Sequence, residues 1–70
     1  MKSIGKKLTS LRRVHDLTQT DLARVTGISQ GYISELESTG EIHSIQHLQA
    51  IAKAYEMTLV DLISILYFDA

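Results

Sequence analysis

Four residues with small or polar side chains recur on one side of a helix predicted over residues 30–37. At about 100° per residue, Gln30, Gly31, Ser34 and Glu35 fall together, opposite a side of bulkier residues. Amide, hydroxyl and carboxylate groups can form hydrogen bonds with a partner, or with water as on any exposed helix. The residues of the opposite side are Tyr32, Ile33 and Leu36. The polar face must therefore meet either a partner or water.

A second cluster of side chains offers metal ligands, but in a poor arrangement. His43 and His47 are four residues apart with Glu41 nearby, yet His43 precedes the predicted helix cap Ser44 and so lies outside that helix. A closed structural site also needs four ligands. The chain has no nucleophile with a plausible base and orienting acid, and no glycine-rich phosphate loop. We therefore expect no metal, no cofactor and no enzymatic activity.

The composition is typical of one folded domain over residues 1–70. Hydrophobic residues make up 44% of the chain, and the absence of cysteine excludes disulfides and thiolate metal sites. A chain this short buries a smaller share of its surface than a larger domain, so a partner subunit would add stability. No apolar run reaches the roughly 18 residues of a membrane span, and the N-terminus lacks a signal peptide's apolar core. We expect a soluble, cytoplasmic protein without internal repeats.

Charge is distributed unevenly along the chain, although the net charge is only -1. Residues 1–15 contain five basic residues and no acidic one, whereas the rest of the chain is acidic. The basic residues of this segment are Lys2, Lys6, Lys7, Arg12 and Arg13. A surface that attracts a polyanion must therefore lie mainly on the N-terminal segment.

Apolar spacing is helical almost throughout, and no alternating segment is long enough to predict a strand. We expect an all-α fold of five helices, with Thr18, Ser29, Ser44 and Thr58 as N-caps of the last four. Gly27 lies where the chain must leave one helix and begin another. The helices are predicted over residues 4–14, 19–25, 30–37, from residue 45 onward and over 59–67, with a loop at residues 38–41.

The inward faces of these helices predict the core. We expect Val25 of the second helix and Ile45 of the fourth to lie inside. In the fifth helix, Val60, Tyr67 and Phe68 lie off the inward stripe. This is more apolar surface than one short helix buries within its own domain, so we expect a partner surface there.

The segments "LTQTDLARVTGISQGYISELE" and "HLQAIAKAYEMTLVDLI" resemble the Cro and repressor group of bacterial regulators, the XRE family. The resemblance covers nearly the whole chain. Each matching residue alone is a weak signal, but their combined spacing over five helices is a strong one. The matching residues of the first segment are Thr18, Gln19, Ala23, Gly27, Ser29, Tyr32, Ile33, Ser34 and Glu37. The resemblance implies a five-helix, lambda-repressor-like domain whose helix-turn-helix spans about residues 18–37.

The resemblance also implies a sequence-specific DNA-binding transcriptional regulator, repressor-like, whose third helix enters the major groove of double-stranded DNA. Such a Gln can pair with adenine, and such a Glu can accept a hydrogen bond from the cytosine amino group. The implied base-reading residues are Gln30, Gly31, Ser34 and Glu35. The candidate phosphate contacts are Gln19, Ser29, Tyr32, Lys6 and Lys7, with Lys2 as a further candidate.

Pairing between helices and between subunits is implied as well. In the family an Arg of the first helix pairs with the Glu that ends the third, which makes Arg12 and Glu37 a structural ion pair. A homodimer on a two-fold operator is implied, with half-sites about 34 Å apart. We expect the fifth helix to supply much of the dimer contact. The residues of this expected interface are Val60, Ile63, Tyr67 and Phe68.

Departures from the family pattern leave a second class of function open. Asp16 and Glu56 stand where glycine is common, and Glu41 lies in a loop where Lys or Arg is common. The acidic loop and the near-neutral charge also fit a helix-turn-helix scaffold that binds a protein, such as an antagonist of a DNA-binding partner. The sequence leaves four questions open. These are the operator sequence, whether the chain represses or activates transcription, any inducing ligand, and the context (phage repressor, antitoxin or restriction-system controller).

Overall fold

The computed structural model describes residues 3–68, and within that range the chain forms five α-helices and no strand. The helices are α1 (Ile4–Val14), α2 (Gln19–Thr26), α3 (Gln30–Thr39), α4 (Ile45–Ala54) and α5 (Leu59–Tyr67). The expected all-α, five-helix fold is confirmed. The loop predicted over residues 38–41 starts two residues too early, because α3 continues to Thr39. Gly40 caps this end of α3 with a left-handed φ of 71°.

One hydrophobic core lies between the helices. α1 packs against α3 and α5, α2 packs against α3 and α4, and α4 packs against α5. The buried apolar residues are Leu8, Leu22, Ile28, Ile33, Leu36, Leu48, Ile51, Ala52, Tyr55, Leu62 and Leu66. Because α3 contributes Ile33 and Leu36 to this core, the core fixes which side of α3 faces outward.

Two residues expected inside lie on the surface. Val25 is 58% exposed, because the buried side of the short helix α2 is centred on Leu22 and Val25 lies past its edge. Ile45 is 52% exposed. It is the first residue of α4, beyond the end of the core, and Ile42 of the preceding loop packs against the core instead. Helical spacing identified the side of α4 correctly but not where along the helix the core ends.

The same helix ending occurs twice, forty residues apart, although no internal repeat is expected from the sequence. Asp16 after α1 and Glu56 after α4 both have a φ of 56°. Their backbone N–H groups donate to the carbonyls of Arg13 and Lys53, and the N–H groups of the residues that follow them donate to the carbonyls of Arg12 and Ala52. This is the Schellman motif, in which glycine is usual at the left-handed position.

Each of these endings is followed by a capping box that starts the next helix. The Thr18 hydroxyl accepts a hydrogen bond from the backbone N–H of Asp21, and the Thr18 N–H donates to the Asp21 carboxylate in return. Thr58 and Asp61 do the same at α5. The two endings also contact each other, since the rings of His15 and Tyr55 stack with centroids 4.3 Å apart. The connections α1–α2 and α4–α5 are therefore matching units joined by a ring stack.

A close approach between α1 and the end of α3 sets the angle of α3. A Cβ atom added at Gly5 would overlap the carbonyl oxygen of Glu37, and one added at Gly40 would lie 3.1 Å from the backbone nitrogen of Gly5. The sequence pattern alone assigns no role to either glycine. Only residues without a side chain allow the two backbones to lie this close.

Candidate nucleic-acid interface

The outward face of α3 carries the four residues that helical spacing places there, and we call these four residues the recognition face. Gln30, Gly31 and Glu35 are exposed and Ser34 is half-buried, while Ile33 on the opposite side is 1% exposed. A Cβ atom added at Gly31 would meet nothing within 4 Å. The face is therefore open, and its side chains can reach an external partner.

The turn between α2 and α3 is short and well ordered by hydrogen bonds. Gly27 ends α2 with a φ of 78°, and its N–H donates to the carbonyl of Ala23 at 2.8 Å. Ser29 then caps α3 by accepting a hydrogen bond from the backbone N–H of Tyr32 at 3.1 Å. Gly27 provides the left-handed conformation that lets the two helices follow each other directly.

A shallow groove borders the start of α2 and reaches the recognition face. Its lining residues are Arg12, Arg13, Asp16, Leu17, Thr18, Gln19, Thr20 and Gln30. Arg13 is exposed and was not among the candidate phosphate contacts. Its signal in the sequence is the spacing of seven residues from Lys6, which puts both cations on the same side of α1.

Arg12 and Glu37 form a buried ion pair between α1 and α3. Arg12 Nε donates to Glu37 Oε2 at 2.7 Å and Arg12 Nη2 donates to Glu37 Oε1 at 3.0 Å. The two side chains are 9% and 7% exposed. Thr9 also donates to Glu37 Oε1 at 2.8 Å, and Arg12 Nη1 donates to the carbonyl of Leu17 at 2.7 Å. The pair thus ties α1 to α3 and to the turn before α2.

Hydrogen bonds set the ionisation of this pair. Burial alone would raise the pKa of Glu37, but hydrogen bonds from Arg12, Gln19 and Thr9 outweigh it and hold the pKa below its ordinary value. The hydrogen bond to Glu37 raises the pKa of Arg12 against the opposing effect of burial. Both groups are therefore charged at neutral pH.

Glu37 is linked to the recognition face through a chain of two glutamines. Gln19 Nε2 donates to Glu37 Oε1 at 3.2 Å, and Gln30 Nε2 donates to Gln19 Oε1 at 2.7 Å. From the sequence, only a phosphate contact is predicted for Gln19, with no link to either neighbour. No spacing rule could find this link, because it connects three different parts of the chain.

Other candidate residues have contacts of their own. Lys7 Nζ donates to the carbonyl of Leu66 at the end of α5 at 3.4 Å. The ring of Tyr32 lies against that of His47 of α4, with centroids 4.5 Å apart. Lys6 is exposed. Lys2 lies outside the described residues.

The fifth helix presents apolar side chains to the surface. Val60 is 72% exposed, Tyr67 is 51% exposed and Phe68 is 80% exposed, while Ile63 is half-buried. Leu62 and Leu66 of the same helix are buried in the core. α5 therefore has apolar groups on two sides, only one of which the described part of the chain covers.

Residues 8–62 match the sequence pattern of a helix-turn-helix family. The chain belongs to this helix-turn-helix family. It is also 37% identical over 60 residues to antitoxin PezA of Streptococcus pneumoniae serotype 4 (strain ATCC BAA-334 / TIGR4). The aligned part covers 86% of this chain and 38% of that relative, so the chain spans well under half of the relative's length. The resemblance to the XRE family is confirmed.

Neither a candidate metal site nor a membrane-spanning helix is present among residues 3–68. Among residues 3–68, no group of three or more His, Asp or Glu side chains could hold a metal ion. His43 and Glu41 lie 3.6 Å apart on the surface, without a third ligand in that range. Over the same described part of the chain, no helix is long and apolar enough to cross a membrane.

Proposed function

We propose that this chain is a sequence-specific DNA-binding regulator that acts in the cytoplasm by binding alone, without catalysis. The observation that carries the proposal is the open face of α3, where Gln30, Gly31 and Glu35 are exposed beside the start of α2. A helix that buries one side and keeps hydrogen-bonding groups on the other suits the major groove. Membership of the helix-turn-helix family supports the same function.

In this proposal the four outward residues of α3 read the bases. Gln30 pairs with adenine through its amide, and Glu35 accepts a hydrogen bond from a cytosine amino group. Ser34 serves a base or a phosphate. Gly31 has open space beside it, which lets the backbone approach the groove.

Phosphate contacts are proposed along the edge of the groove. Gln19 lies at the start of α2, where the helix dipole and unpaired N–H groups favour an anion. Ser29 and Tyr32 at the start of α3 are proposed to contact the same backbone. We add Arg13 to Lys6 as the second cation of this edge, since Arg13 lines the groove with Gln19. Lys7 is instead assigned to joining α1 and α5.

Fluorescence anisotropy with a labelled random-sequence duplex tests DNA binding directly. The protein should bind at low salt, and Lys6→Ala and Arg13→Ala should each weaken binding to all sequences alike. Each change should reduce the slope of log affinity against log salt by about 0.9, because one phosphate contact is lost. Lys53→Ala, an exposed cation on α4, is the matched control. A protein that binds no duplex even at low salt would contradict the proposal.

We also propose that the regulator binds a two-fold operator as a homodimer through α5. The two matching helix connections support this. At the start of α2 the polar residues Gln19 and Thr20 follow the N-cap Thr18, whereas the same positions of α5 carry Leu59 and Val60. The first unit thus suits an anion, and the second suits an apolar partner, such as the end of α5 in another copy.

Sedimentation equilibrium tests the homodimer. Val60→Lys should shift the protein to the monomer, because burying an unpaired ammonium group at the interface is costly. The matched control is Val14→Lys, since Val14 is exposed to a similar extent (76%) but lies on α1. An unmodified protein that remains monomeric at high micromolar concentration would contradict the proposed interface.

A second candidate function is a module that binds a protein through the apolar side of α5. The exposed Val60, Tyr67 and Phe68 favour it, as does the similarity to a relative named as an antitoxin. On this alternative the chain would be part of an antitoxin that binds a protein toxin. Complete absence of duplex binding at low salt, together with a monomeric state, would favour this candidate over the regulator.

A further inference from the structure

The hydrogen bonds between Glu37, Gln19 and Gln30 fix which way two amide groups point. At neutral pH a carboxylate accepts hydrogen bonds and cannot donate them. Glu37 Oε1 therefore requires the NH2 group of Gln19, whose Nε2 lies 3.2 Å away. The carbonyl oxygen of Gln19 must then point to the opposite side. There it accepts a hydrogen bond from Gln30 Nε2 at 2.7 Å.

The reverse orientation is excluded by the ion pair itself. If the Gln19 amide were turned over, its oxygen would face Glu37 Oε1, and two acceptors would lie against each other. Glu37 cannot rotate away, because Arg12 holds both carboxylate oxygens and Thr9 holds Oε1. The orientation of both glutamines is therefore determined by a buried charge that lies behind the recognition face.

We propose that Glu37 is a positioning residue that sets the base preference of Gln30, an inference that rests on the proposed DNA-binding function. With one N–H engaged by Gln19, the Gln30 amide presents its oxygen and its second N–H to the groove in a fixed order. Adenine offers an acceptor, N7, beside a donor, the N6 amino group, in the major groove. The fixed order matches one orientation of an adenine at that position.

The Glu37→Met variant tests the inference because it removes the acceptor that orients Gln19. Glu37→Gln would be a poor test, since the donors of Arg12, Thr9 and Gln19 converge on Oε1 and an amide oxygen there would still accept from Gln19. Without an acceptor at position 37, the Gln19 amide can take either orientation. Gln30 can then donate or accept, and its amide no longer presents donor and acceptor in one fixed order.

The first measurement needs no DNA. In the free protein, one side-chain amide proton of Gln30 should exchange slowly with water in an NMR experiment, because it is donated to Gln19. In Glu37→Met it should exchange faster, toward the rate of the exposed Gln49. Unchanged exchange in the variant overturns the inference whatever the protein binds, so its failure is separate from failure of the proposed function.

The second measurement compares duplexes that differ only at the base pair whose preference is lost in Gln30→Ala. Glu37→Met should lower the preference for adenine there by about five- to 150-fold, the range expected for a two-hydrogen-bond base contact. Glu56→Met, the same chemical change at an exposed residue, should retain the preference. Full retention of the preference by a folded Glu37→Met protein overturns the inference.

A double variant, Arg12→Met with Glu37→Met, keeps the test valid if Glu37→Met alone does not fold. Replacing a whole buried ion pair by apolar residues of similar size is often neutral for stability, whereas removing one partner leaves a buried charge. The double variant should fold, as judged by a cooperative thermal transition, and should lose the adenine preference. A folded double variant that keeps the preference overturns the inference.

Discussion

At the scale of single residues, the acidic groups of this chain divide by environment. Asp21 caps α2 and pairs with Arg24 at 2.7 Å, and its pKa is lowered by hydrogen bonds from the backbone and side chain of Thr18. Glu37 is buried against Arg12, whereas Glu35 is exposed on the recognition face. An acidic composition is therefore compatible with a DNA-binding surface, since of these three acids only Glu35 belongs to that face.

The lowered pKa of Glu37 predicts a loss of stability in acid. A carboxyl group whose pKa is lower in the folded state stabilises the fold above its unfolded pKa, 4.5, and this stabilisation is lost as the pH falls through the folded value. Urea denaturation at pH 7 and pH 3 should show a larger loss for the unmodified protein than for Glu37→Gln. Asp21 is unchanged in both proteins, so its contribution cancels. Equal losses would contradict the role of Glu37.

Substitution by alanine should have opposite effects on stability at Gly5 and at Gly31. Gly5→Ala should destabilise the protein by about 1–3 kcal/mol, because the added Cβ would overlap the Glu37 carbonyl and push α1 from α3. Gly31→Ala should stabilise it by about 0.5–1 kcal/mol, since its Cβ meets nothing and alanine favours the helix. Urea denaturation of the two variants measures both effects. Similar effects of the two substitutions on the free energy of unfolding would contradict the close approach of the Gly5 and Glu37 backbones.

At the scale of the elements, spacing and caps predict the helices well. The bounds of α1 and α5 agree with the sequence prediction, because Thr58 and the apolar stripes mark them clearly. Ser44 precedes α4 as predicted, yet its side chain makes no capping hydrogen bond. Val25 and Ile45 were placed wrongly because periodicity gives the side of a helix and says nothing of where a neighbouring helix stops covering it.

Glycine should stabilise the protein at the two left-handed helix endings, in place of Asp16 and Glu56. Glu56→Gly should raise the free energy of unfolding by about 1 kcal/mol, because a left-handed backbone is unfavourable for a residue with a Cβ. Asp16→Gly should give a smaller gain, since Asp tolerates that conformation better. Thermal or urea denaturation measures both. Glu56→Ala, which retains the Cβ, should bring no such gain, and an equal gain from alanine would contradict the explanation.

At the scale of the whole molecule, the candidate site depends on contacts that join distant parts of the chain. Helical spacing alone predicts the outward face of α3, because Ile33 and Leu36 must be buried. The Arg12–Glu37 pair was implied only by the family resemblance. The link through Gln19 and the close approach at Gly5 were not predictable, because they depend on how α1, α2 and α3 are arranged in three dimensions.

Selection of bound sequences from random duplexes is a direct test of the proposal that α3 reads DNA. The unmodified protein should enrich a two-fold symmetric site with half-sites about one helical turn apart, roughly 34 Å. Gln30→Ala should lose the adenine preference at one position of each half-site and leave the others intact. Failure to enrich any sequence, or the same enriched site for Gln30→Ala, would contradict this role of α3.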